Sequence, residues 1–71
     1  MKAIKITSGN QSSLVGSYET IEDESQLPIG DYLVTDFGNE ETFEIITNDV
    51  LNDLFVIVGE LKNGYIQIER K

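Results

Sequence analysis

Near the C-terminal end, two runs rich in strand formers, Phe55 to Leu61 and Tyr65 to Arg70, flank Lys62-Asn63-Gly64. Asn-Gly between such runs is the strongest short-range hairpin signal, because both residues accept the positive φ that a tight antiparallel turn requires. A chain that must accommodate this hairpin is committed to an antiparallel sheet. The rest of the sequence supplies the partners. Ile4 and Ile6 alternate with Lys5 and Thr7, a period of two that marks a half-buried first strand, ended by the polar stretch Ser8 to Ser13. Leu14 to Glu19 reads as a second strand with Gly16 at a bulge, closed by the acidic run Glu22-Asp23-Glu24.

Leu27-Pro28-Ile29-Gly30 has the composition of a turn, and Asp31 to Phe37 that of a strand. A second turn at Gly38 to Glu41 leads into Thr42 to Thr47, where Phe43 and Ile45 alternate with Thr42 and Glu44, so Asp31 to Thr47 reads as a hairpin. Thr47 or Asn48 can cap a short helix reaching Asn52 or Leu54, with Asp49 in its first turn and Leu51 and Leu54 on one face. The phenylalanines Phe37, Phe43 and Phe55 are expected in the core, as is the apolar run Phe55 to Val58. The sum is a mainly β single domain spanning residues 1–71, a small barrel or curled antiparallel sheet of about five to six strands with one short helix. An SH3-like or OB-like barrel is the leading architecture, and a flat sheet with a helix on one face the competing one.

Size and composition restrict the chemistry. A chain of 71 residues buries only roughly 60% of its surface, enough for one thin core and too little for a deep cleft. There is no cysteine and no histidine, so thiolate nucleophiles, Cys-type zinc sites and the commonest general acid/base are missing. No enzymatic activity, cofactor or metal is expected. Asp49, Asp53 and Glu60 fall on positions 1, 5 and 12 of a calcium-loop frame, but Leu51 and Leu54 occupy positions 3 and 6, where an oxygen ligand and a glycine are needed. The N-terminus lacks the apolar run of a signal peptide, and Leu54 to Val58 is far short of a membrane span, which leads us to expect a cytoplasmic protein with no membrane partner.

The charge is distributed unevenly. The formal net charge is -8, and all five basic residues, Lys2, Lys5, Lys62, Arg70 and Lys71, lie outside the 55 residues from Ile6 to Glu60. That segment holds twelve of the thirteen acids. If the first and last strands are neighbours, the bases gather at one edge of the sheet and the remaining surface is almost uniformly negative. Carboxylates two residues apart on a strand are roughly 6.6 Å apart, close to the spacing of successive phosphates along a nucleic-acid strand. Such an array attracts groups that normally contact DNA, with electrostatic steering and strong salt dependence.

In length, in the base-free acidic block from Glu19 to Glu60 and in its lack of catalytic residues, the chain resembles the small acidic DNA-mimic inhibitors used by phages and mobile elements. That class is held together by charge and size rather than by a motif or a fold, so it assigns no residue. The resemblance implies a non-enzymatic protein that inhibits a basic nucleic-acid-binding partner, such as a nucleoid-associated protein, in the cytoplasm of a host. The charge distribution itself speaks against direct contact with nucleic acid, since Lys2, Lys5, Lys62, Arg70 and Lys71 assemble no basic patch free of acids. The acids expected to engage are Glu19, Glu22, Asp23, Glu24, Asp36, Glu40, Glu41 and Glu44, with Asp49 and Asp53 at the helix as a second group. The alternative is an interaction or assembly module that binds through a sheet edge and an exposed Tyr65; a third reading treats the acids as a solubility coat.

Overall fold

A computed structural model describes the whole chain except Glu19 and the side chains of Asn39, Glu40 and Glu41. Five strands, β1 (Lys2–Lys5), β2 (Tyr32–Asp36), β3 (Asn39–Ile46), β4 (Phe55–Glu60) and β5 (Ile66–Arg70), form one antiparallel sheet in the order β3-β2-β1-β5-β4. The sheet is open, with β3 and β4 at its two edges, so the chain adopts the curled-sheet form and not the closed barrel. Two α-helices of seven residues each, α1 (Gln11–Ser17) and α2 (Asn48–Leu54), replace the single helix expected from the sequence.

The two helices cover opposite faces. Cross-strand register puts Ile4, Leu33 and Ile45 on one face, where they pack with Leu14 of α1 and with Tyr18, Ile21 and Leu27. Ala3, Val34 and Ile68 point the other way and pack with Leu51 of α2 and with Phe55. The central strand β1 is consequently buried on both sides at Ala3 and Ile4, while the alternation expected for Ile4 and Ile6 against Lys5 and Thr7 holds, with the two isoleucines buried and Lys5 and Thr7 exposed.

Of the expected strand from Leu14 to Glu19, residues 14–17 are helical instead, and Glu19 lies outside the described residues. Leu14, Val15 and Tyr18 follow the i, i+1, i+4 spacing of a helix face, and all three pack into the first core. The Asn10 side chain prepares the turn into α1: its Oδ1 accepts from the Thr7 amide at 2.9 Å and its Nδ2 donates to the Lys5 carbonyl at 2.8 Å. Gln11 then ties the helix to the following loop by donating to the Leu27 carbonyl at 2.8 Å. Val15 and Tyr18 are good strand formers, and tertiary packing overrides that local preference.

The two hairpins are where the sequence places them. Asn63 and Gly64 adopt φ of 64° and 85°, the positive-φ region that asparagine tolerates and glycine, with no Cβ, enters freely, and β4 and β5 pair on either side. In the β2–β3 hairpin the turn is Phe37-Gly38, earlier than the Gly38 to Glu41 expected, and β3 already begins at Asn39. Phe37 therefore sits in a turn and is 53% exposed, not in the core. Phe43 is half-buried and Phe55 buried.

Helix α2 begins as expected. Thr47 is its N-cap, its hydroxyl accepting from the Val50 amide at 3.3 Å. Thr47→Ala should destabilise the protein by about 1 kcal/mol, measurable by urea unfolding, whereas Thr47→Ser should be close to neutral. Leu51 and Leu54 do not share a buried face: Leu51 is buried, while Leu54 and Val50 are exposed.

Candidate partner-binding surface

The described acids remain at the surface. Glu22, Asp23, Glu24, Asp36, Glu44, Asp49 and Asp53 are all exposed. Glu19 lies outside the described residues, as do the side chains of Glu40 and Glu41, although their backbone belongs to β3.

The acids fall into two groups on opposite sides of the sheet. Glu22, Asp23 and Glu24 belong to the segment between Ile21 and Leu27, two residues of the core on the α1 side. This segment is a capped 3-10 turn rather than a strand, so the spacing of carboxylates two residues apart on a strand does not apply to Glu22 and Glu24. The Asp23 side chain accepts from the Ser25 amide, and the Gln26 side chain accepts from the amides of Glu22 and Asp23 at 2.6 and 3.2 Å, closing a capping box. Side-chain and backbone hydrogen bonds from Ser25 hold the Asp23 carboxyl below the usual aspartate range, which keeps it ionised in mild acid. Glu24 accepts from the Ser12 hydroxyl of α1 at 2.9 Å. The three acids are thus displayed on a turn whose shape is fixed by its own hydrogen bonds.

On the other side, Glu44 shares its face with Val34, its cross-strand partner, and that face is the one covered by α2, which carries Asp49 and Asp53 at i, i+4. Asp36 and Glu44 line one shallow hollow together with Met1 and Arg70. Asp49 and Asp53 are on a helix and Glu60 ends a strand, so the calcium-loop frame is interrupted by regular structure.

Three of the five bases lie on interior strands of the sheet and not on an edge strand, while Lys62 is in the β4–β5 turn and Lys71 follows β5. Lys2 and Lys5 belong to β1 and Arg70 to β5, and these two strands pair in the middle of the sheet order. The Lys2 ammonium sits 4.6 Å from the Tyr65 ring centroid, and the Arg70 guanidinium 5.4 Å from that of Phe55. Both cations therefore lie over the protein's own aromatic rings, an electrostatically favourable position.

Tyr65 does not present the free aromatic anchor expected from alternation. It is half-buried against the first core, and its hydroxyl is 3.0 Å from that of the buried Tyr18. Sequence reasoning instead missed β4, the run expected to be interior. Only Phe55 is buried there, and Val56, Ile57 and Val58 are 44%, 55% and 47% exposed. Their identity as an apolar run is plain in the sequence, but their exposure follows from β4 taking an edge position, which no local pattern specifies.

Among the described residues no helix is long and apolar enough to cross a membrane. The chain matches no family model, no curated protein and no solved structure.

Proposed function

We propose that the protein is a non-enzymatic binding protein whose carboxylates take the place of nucleic-acid phosphates on a basic, DNA-binding partner. The observation that carries this reading is the base-free segment 6–60 with its twelve acids. In three dimensions it supplies both helices, β2, β3 and β4, which flank the β1–β5 pair that carries Lys2, Lys5 and Arg70. A partner approaching β3, α2 or the Glu22-Asp23-Glu24 turn meets exposed carboxylates. The Glu22-Asp23-Glu24 turn is the best-formed group, since its backbone is already fixed and little ordering entropy is lost on binding. Direct binding to DNA is opposed by the same charge.

The experiment is capture from bacterial lysate on the immobilised protein. Basic DNA-binding proteins should be retained at low salt, eluted as salt rises and displaced by excess duplex DNA. Retention of only salt-resistant proteins that ignore DNA would leave the acids as a solubility coat.

A further inference from the structure

The two edges of the sheet differ sharply. Strand β3 carries Glu40, Glu41 and Glu44 in its sequence, and charge on an edge strand discourages pairing with another chain. Strand β4 has no charge and no proline from Phe55 to Gly59, and Val56, Ile57 and Val58 stand exposed. We propose that β4 pairs antiparallel with β4 of a second copy across a twofold axis, joining two five-stranded sheets into one.

The bulge in β4 selects the register. Ile57 pairs with Ile68 and Gly59 with Gln67, so Val58 is an extra residue, and Phe55 and Glu60, which strict alternation would put on opposite faces, both lie on the face covered by α2. Directly opposed residues of an antiparallel pair must share a face. The twofold register that sets Ile57 against Val58 of the partner subunit, and Val56 against Gly59 of the partner subunit, satisfies this. It also places Phe55 opposite Glu60 of the partner subunit.

Charge complementarity favours a second copy as the occupant. Arg70 lies opposite Phe55 in β5, with its guanidinium over the Phe55 ring, and so is held on the same face and toward this edge. In the dimer each Arg70 is presented to Glu60 of the partner subunit, and symmetry makes the pair twice. The proposal is independent of the DNA-mimic reading, since it uses Glu60 and none of the carboxylates assigned to the basic partner.

The test is sedimentation equilibrium of the full chain over a wide concentration range at moderate salt. The mass should rise from 8.0 kDa toward twice that value. Ile57→Lys, at an exposed position, should keep the circular dichroism spectrum and weaken association by at least about tenfold, while Ile29→Lys, exposed in a distant loop, should not. Arg70→Glu alone should weaken the dimer, and Arg70→Glu combined with Glu60→Arg should recover it. A monomer at every concentration, a dimer indifferent to Ile57→Lys, or a double reversal that fails to recover association would each overturn the proposal.

Discussion

Replacing Glu22, Asp23 and Glu24 together with Gln, Asn and Gln is expected to weaken binding to the basic partner by about tenfold or more, with no loss of fold. The turn survives because its hydrogen bonds do not need the charges. Asn is as good an N-cap as Asp, so position 23 can still accept from the Ser25 amide, and Gln at position 24 retains an oxygen for the Ser12 hydroxyl. The bonds from the amides of residues 22 and 23 to Gln26 involve only main chain on their donor side. Three exposed ion pairs lost at about 0.2–1 kcal/mol each give the expected factor. The logarithmic salt dependence should also become shallower by about two to three units, since fewer counterions are exchanged. Titration calorimetry at several salt concentrations reads both quantities, and thermal melting checks the fold. Unchanged affinity with an unchanged slope would remove this turn from the interface.

Leu33→Ala should have the largest effect on stability. Leu33 is fully buried on β2, between Ile4 of β1 and Ile45 of β3, in the core capped by α1. Truncating a buried leucine costs about 2–5 kcal/mol. A chain of 71 residues has a total stability of roughly 4–10 kcal/mol, so the substitution removes a large share of it and lowers the melting temperature by about 10–20 °C or more. Leu54→Ala, at a residue 51% exposed, is the matched control and should shift stability by no more than about 0.5 kcal/mol. Circular dichroism melts of both variants give the comparison.

The features legible in the sequence were those fixed by neighbours along the chain. Asn63-Gly64 set its hairpin because two consecutive residues had to accept positive φ, and Thr47 capped its helix because the donor is three residues away. Strand order is a different kind of information. The placement of β1 and β5 side by side at the centre, which turned an expected basic edge into a basic middle, depends on α2 carrying the chain from the β3 edge to the β4 edge. The same crossover left Val56, Ile57 and Val58 at the surface. Residues 14–18 were ambiguous for a physical reason: Val15 and Tyr18 favour strands, and the helical spacing of Leu14 and Tyr18 prevails only once the sheet offers a face to pack on. The candidate surface was legible as composition, since acids rarely leave the surface, but its division between a capped turn on one face and β3 with α2 on the other was not.

The most direct test of the account is competition on a purified basic protein recovered by capture. The chain and a short duplex DNA should displace one another from it, and the affinity for the chain should fall steeply and linearly with salt on a logarithmic scale. A ternary complex of chain, partner and DNA, or an affinity insensitive to salt, would contradict the claim that carboxylates here occupy the positions of phosphates.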